Sequence, residues 1–260
     1  MHITFEWNGR LFSADSTTVF DLSSPIDFGG AQPTFFGLPR AAQVAVQEGG
    51  FVGDTTQGGG CNCRQLTLCP HGNGTHTETV QHIKADGPAP AEVINRVLIC
   101  AQVISVAGTT LAESRESYSN WGQSDDLVIS RDALVQAAGP SPHPDALIIR
   151  ALGHDHKPQG ANYDTQWAPY FTYEAIDWLH QSGLEHLITD LPSIDRHDDG
   201  GELPNHHRFW NSRGTGATIT EMAAIPQTLL DGLYLLNLQV PHLLTDAVPC
   251  RPLIMPIKER

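Results

Sequence analysis

The chain begins with an alternation of period two. In MHITFEWNGRLF, Ile3, Phe5 and Trp7 are separated by polar neighbours until Asn8-Gly9 breaks the pattern. Side chains on a strand point alternately to opposite faces, and Asn-Gly supplies the left-handed residues of a tight turn. The opening therefore predicts a β-hairpin and not a secretory leader. The next segments, IDFGGAQPTFFGLPRA and QEGGFVGDTTQGGG, hold short apolar pieces between Gly and Pro and predict strands joined by long loops. A strand is expected over 64–68. Hydrophobic runs at 96–106, 126–130, 145–150, 184–190, 233–240 and 252–257 predict further strands. Over 216–221, GATITE, the alternation puts Ala217, Ile219 and Glu221 on one face.

Two segments carry helical signals instead. Ser130 can cap a helix with Asp132 in its first turn and Gly139 as its stop. In FTYEAIDWLHQSG, Thr172 is the expected N-cap, Glu174 suits the positive end of the helix dipole, and Gly183 ends the helix. Phe171, Ala175, Trp178 and Leu179 form its expected apolar face. Strands alternating with helices after a β-rich start define a mixed α/β class. No polar linker interrupts the second half, so one domain over 1–260 is expected.

Composition narrows the function. The 260 residues hold 15 basic and 29 acidic side chains, a formal net charge of −14. Such a surface repels nucleic-acid phosphates and anionic lipid, and no apolar run is long enough to span a bilayer. A small-molecule substrate is the expected partner, with no nucleic acid and no membrane. Five irregularly spaced cysteines suit a reducing cytoplasm better than a disulfide scaffold. Cys61, Cys63, Cys69 and His71 lack the spacing of a zinc knuckle, and ordinary buried thiols are expected.

The candidate chemistry lies in the histidines, of which there are 13. Residues 69–82 read CPHGNGTHTETVQH. If the segment around 75–79 is extended, His76 and Glu78 share a face about 7 Å apart along the backbone, close enough to converge on one ion. A second cluster, SIDRHDDGGELPNHHRFWNSRGTGATITE, places His206-His207 in an expected loop after Gly200-Gly201. Glu221 follows fifteen residues after His206. Imidazoles with carboxylates suit zinc, manganese or ferrous iron, which acidify bound water and polarise carbonyls. A histidine outside the ligand set could carry protons. A loop histidine alone is most often merely solvated, and His2, His143, His180, His186 and His242 have no supporting context.

The run HGNGTHTETVQH resembles the signature H-x-G-T-H-x-D-x-P-x-H of the cyclase family of metal-dependent hydrolases, to which bacterial kynurenine formamidase and isatin hydrolase belong. Gly74-Thr75-His76 aligns directly. Glu78 stands for the family's aspartate, Val80 for its proline, and His71 lies one residue upstream of the pattern's first histidine, where Gly72 stands. Asp21-Leu22-Ser23 with Pro25-Ile26 resembles an early D-L-S-x-P-I segment. Asp190, Pro192, Ser193 and Asp195 resemble D-x-P-S-x-D, and LPNHH and Glu221 match the later histidine and glutamate. RFWNSRGTG would be an insertion beside the site.

The resemblance implies a single-domain, swivelling β/β/α fold holding one or two divalent metals, zinc first and manganese second. It implies His71, His76, Glu78, His206 and Glu221 as ligands, with His207 the substitute if the doublet is out of register. It makes His82 the proton-transfer residue, assisted by Glu221. The implied reaction is C–N hydrolysis of a small amide, with the aryl formamide N-formylkynurenine, a substrate of tryptophan catabolism, as first choice. Hydrolysis of a cyclic amide or lactone is the alternative, and a non-catalytic metal- or ligand-binding protein is a third reading. Phe35, Phe36 and Trp210 are candidates for an aromatic wall. A homodimer or homotetramer is expected by family analogy.

Overall fold

In the computed structural model, residues 2–140, 144–153, 160–213 and 216–260 are described. His143 lies outside them. The protein is a mixed α/β fold built on one large sheet. At one edge is the predicted hairpin, His2–Trp7 against Arg10–Asp15, with Asn8 and Gly9 both at positive φ (50° and 71°). The sheet continues through Leu253–Glu259, Gly232–Asn237, Ile99–Ala107, Ala146–Leu152, His186–Thr189, Thr218–Glu221, His76–Glu78 and Ala247–Pro249. Phe20–Asp21 pairs with Leu253–Glu259 as a side branch.

The strands from Ile99–Ala107 to Thr218–Glu221 run parallel, and their neighbours on both sides are antiparallel. Parallel strands buried on both faces need apolar side chains at every position, which explains the continuous runs in the sequence. Ile104, Val106, Leu147, Ile149 and Leu187 pack on one face beneath the helices Arg131–Ala138, Tyr173–Gln181 and Pro204–Arg213. Ile99, Ala101, Val103, Ile148 and Ile188 pack on the other, with Leu22, Ile225 and Leu229.

Both predicted helices form with their predicted caps. The Ser130 hydroxyl accepts the Ala133 N–H and the Thr172 hydroxyl accepts the Ala175 N–H, each at 3.2 Å. The core face of Tyr173–Gln181 is Ala175, Ile176 and Leu179; Trp178 is only half-buried, and Phe171 precedes the helix on a short strand.

Three expectations are corrected. His206-His207 lies on the helix Pro204–Arg213 and not in a loop. This helix has no local side-chain cap: Leu203 enters it at φ 47°, while the distant Asp195 carboxylate accepts the N–H groups of Asn205 and His206. Nor is RFWNSRGTG all loop: its residues as far as Arg213 continue that helix, with Phe209 and Trp210 buried in the core. Cys61 and Cys63 are exposed and Cys69 half-buried, because the 42–67 arm folds as small two-stranded sheets away from the core; only Cys100 is in the buried class.

His186, at the start of its strand, is buried and shares a 2.9 Å hydrogen bond with Thr218 Oγ1. Burial, reinforced by the charge of Arg96, pushes it down to about 4. The unfolded chain takes up this proton below about 6.5 while the folded protein does not, so stability is lost as pH falls from there toward 4. His186→Gln is expected to remove about 3 kcal/mol of that acid sensitivity, read as a flatter dependence of unfolding midpoint on pH.

Candidate metal centre

The site is built on the short strand His76–Glu78, in the interior of the sheet between Thr218–Glu221 and Ala247–Pro249. Its register sets Glu221 directly opposite His76 and Ile219 opposite Glu78. Opposed residues project from the same face, so His76, Glu78 and Glu221 converge. On the other face Thr77 and Thr220 share a 2.7 Å hydroxyl contact. Thr75 anchors the strand entry, its hydroxyl donating to the Met222 carbonyl and accepting the Ser24 N–H of the early D-L-S segment.

Gly74 sits at φ 150°, a conformation that side-chain-bearing residues rarely adopt. Its carbonyl accepts a 3.0 Å hydrogen bond from His76 Nδ1, which fixes the tautomer and turns Nε2 into the site. His76 Nε2 lies 3.6 Å from Glu221 Oε2 and has no hydrogen-bond partner.

His71 reaches the same site from one turn of helix, Pro70–Asn73, whose end is tied by Asn73 to the Cys69 N–H and the Pro39 carbonyl. At position 72, where the family pattern has its histidine, a Cβ would come within 2.8 Å of Leu38, so the packing favours glycine there. The helical turn brings His71 Nδ1 to 3.3 Å from Glu78 Oε2, while Nε2 donates to Asp246 Oδ2 at 2.8 Å.

His206 approaches from the first turn of its helix. Its Nδ1 donates to Asp195 Oδ2 at 2.6 Å, and its Nε2 stands 3.0 Å from Glu78 Oε1 and 3.6 Å from Glu221 Oε1. The short Nε2 contact lacks hydrogen-bond alignment, leaving that nitrogen and both Glu78 oxygens buried without a hydrogen bond. Glu221 Oε1 accepts the Ile194 N–H at 2.8 Å, so the D-x-P-S-x-D segment steadies both Glu221 and His206. His207 is exposed on the outer side of the helix.

His82, on a turn of 3-10 helix, stacks on His71 with ring centroids 4.2 Å apart. Its Nε2 lies 3.9 Å from Glu78 and its Nδ1 3.5 Å from Asp246, and its side chain keeps 22% of its surface exposed. A cavity of about 520 Å³ opens over His71, His82, His206 and Glu221. Phe35 and Phe36 line it as anticipated, but Trp210 does not; its indole donates to the Ala217 carbonyl within the core. The third aromatic wall is His197, parallel to Phe36 at 13° with centroids 5.6 Å apart. Sequence reasoning missed His197 and Asp246. Asp246 had one legible signal, a lone acid immediately before an apolar strand, but only the pairing of Ala247 with Glu78 brings it to the site.

Electrostatics follow from this packing. Burial opposes protonation of His71, but the Asp246 and Glu78 carboxylates outweigh it and raise the imidazole to about 10. Burial and the neighbouring His71 charge push His76 down to about 4. Burial also opposes charge on His206 and Glu78, yet their mutual attraction wins: His206 is raised well above, and Glu78 held well below, the ordinary values. Glu221 is raised by burial and by repulsion from Glu78. Hydrogen bonds from His71 and His82 hold Asp246 far below the carboxylate range.

This donor set fits a divalent cation. Ligand atoms lie within 4.8 Å of one another in three overlapping trios: His71, His76 and Glu78; Glu78, His82 and His206; and His71, His82 and Asp246. Within the cluster both Glu78 oxygens and the Nε2 atoms of His76 and His206 are buried without a hydrogen bond, and a cation there would displace the site-facing protons of His71 and His206.

Fold and site together define the class. The family model described as Putative cyclase matches residues 20–196, and the chain belongs to that family. Among solved structures, the predicted metal-dependent hydrolase from Bacillus stearothermophilus superimposes with a TM-score of 0.59 at 17% identity, covering 91% of this chain and 97% of that one. An isatin hydrolase bound to the product analogue thioisatinate gives 0.62 at 16% identity, covering 92% of each chain. Isatin hydrolase A from Ralstonia solanacearum gives 0.58 at 15% identity and 91% of each. At these identities the likeness is one of fold. No curated protein sequence matches the chain.

Proposed function

We propose that the protein is a metal-dependent hydrolase that cleaves the C–N bond of a small aromatic amide, its catalytic domain being the whole chain. The observation that carries this reading is the cavity of about 520 Å³ that sets an aromatic wall over the buried histidine–glutamate cluster. A planar aryl group suits that wall, and its amide would then face the cluster.

His71, His76, Glu78, His206 and Glu221 would hold the metal, with zinc the first choice and manganese the second. When bound, the metal polarises the carbonyl and makes water a nucleophile near neutral pH. The remaining work falls to the chain's own groups. His82 reaches the cavity, accepts the proton of the attacking water and returns it to the leaving nitrogen. Glu221, anchored by the Ile194 N–H, assists. Phe35, Phe36 and His197 orient the ring.

An aryl formamide of the N-formylkynurenine type is the leading substrate, since an aniline leaving group needs protonation less than an alkylamine does and one histidine could suffice. A cyclic aryl amide is the second reading, favoured by the shared fold with isatin hydrolase. Free thiols suit a reducing compartment, so we assign the protein to the cytoplasm, and by family analogy to a dimer or tetramer. Elemental analysis and both assays on the same sample test this. Stoichiometric metal with formate release supports the formamidase reading, and ring opening of isatin alone supports the cyclic one. Bound metal without turnover in a broad amide and lactone screen makes it a binding protein. No metal after zinc or manganese reconstitution overturns the hydrolase assignment.

A further inference from the structure

His71, displaced by one residue from the family spacing, needs something to aim it, and the structure supplies a candidate. Each of the three imidazoles facing Glu78 most closely or lying nearest its strand has its outward nitrogen bonded to an oxygen. His76 Nδ1 donates to the Gly74 carbonyl at 3.0 Å, His206 Nδ1 to Asp195 at 2.6 Å, and His71 Nε2 to Asp246 at 2.8 Å. We propose that Asp246 is a positioning residue that orients His71 as a metal ligand and backs His82 for proton transfer. This rests on the metal-dependent reading above.

The geometry is that of two stacked rings between two carboxylates. Asp246 Oδ2 meets His71 Nε2 and lies 3.5 Å from His82 Nδ1. The opposite nitrogens, His71 Nδ1 and His82 Nε2, lie 3.3 and 3.9 Å from Glu78 Oε2. The rings are stacked at 28°. Asp246 is itself held in place: the Thr245 hydroxyl donates to its Oδ1, and its carbonyl accepts the Thr79 N–H. Ala247, next in sequence, pairs with Glu78 in the sheet. The outer carboxylate is thus fixed to the same strand as the inner one. An oxygen acceptor on the outer nitrogen sets tautomer and ring direction and raises ligand basicity. The His71 ring lies between Asp246 and Glu78, which suits a supporting role better than ligation of the same ion.

The test is zinc titration of the metal-stripped full-length protein against a chromophoric chelator. Asp246→Ala is expected to weaken zinc binding about 10–100-fold with stoichiometry unchanged. Asp246→Asn, which keeps an acceptor oxygen, is expected to recover most of that loss, with circular dichroism showing both metal-free variants folded. Affinity of Asp246→Ala within about twofold of the parent would overturn the proposal. So would loss of a whole zinc equivalent, which would make Asp246 a ligand, or an Asn variant as weak as Ala. A parent protein that takes up no zinc would overturn the metal reading and this inference with it; weak binding confined to the variants leaves that reading standing.

Discussion

Glu78→Gln is expected to strip the protein of divalent metal and drop hydrolysis to background while the chain stays folded. Glu78 is the one carboxylate within 4 Å of His71, His82 and His206 among the described residues. Both its oxygens are buried without a hydrogen bond, although burying an ionised carboxylate that way is costly. The arrangement makes physical sense if a cation, or protonated imidazoles in its absence, supplies the missing partner. The amide has nearly the same shape, so Thr77 and the sheet register are undisturbed, but it carries no charge and ligates poorly. Removing an outer partner of a ligand costs about 10–100-fold in metal affinity, and removing the shared ligand is expected to cost more. Elemental analysis after desalting, with circular dichroism on the same sample, checks both halves. A variant that keeps stoichiometric metal would remove Glu78 from the centre of the site.

The same residues show how far the sequence could be read. Period two along GTHTE sets His76 and Glu78 on one face whatever their neighbours, and this needs no tertiary information. The strands and both capped helices were legible for the same reason: burial and capping leave local patterns. Glu221 was legible by parity, but its place opposite His76 is a matter of register between segments more than a hundred residues apart. The helix Pro204–Arg213 was hidden because its capping acid, Asp195, lies nine residues before Pro204 and Leu203 gives no cap signal. His71 is displaced in sequence yet arrives in space, since a helical turn with Leu38 packed on Gly72 changes its approach. Asp246 and His197 come from segments whose relation to the cluster is set by strand order and by the fold of a loop, and neither leaves a periodic trace.

His82→Ala is expected to lower kcat about 10²–10⁴-fold, the range a positioned general acid–base group contributes, while metal content stays at the parent level. The distinction from Glu78 rests on position. His82 is partly exposed at the cavity wall and stands farther from Glu78, 3.9 Å, than His71 or His206 does. That leaves its Nε2 free to exchange a proton with water and then with the leaving nitrogen. Alanine removes the proton carrier and one stacking face of His71, but leaves Asp246 bonded to His71. KM should therefore change much less than kcat, because the aromatic wall of Phe35, Phe36 and His197 is intact. Substrates with better leaving groups should suffer less, since they depend less on the returned proton. Steady-state kinetics over a series of ring-substituted aryl formamides, each paired with metal analysis, measures this directly. Loss of metal in the variant would make His82 a ligand, and a uniform loss across the series would take the proton return away from it.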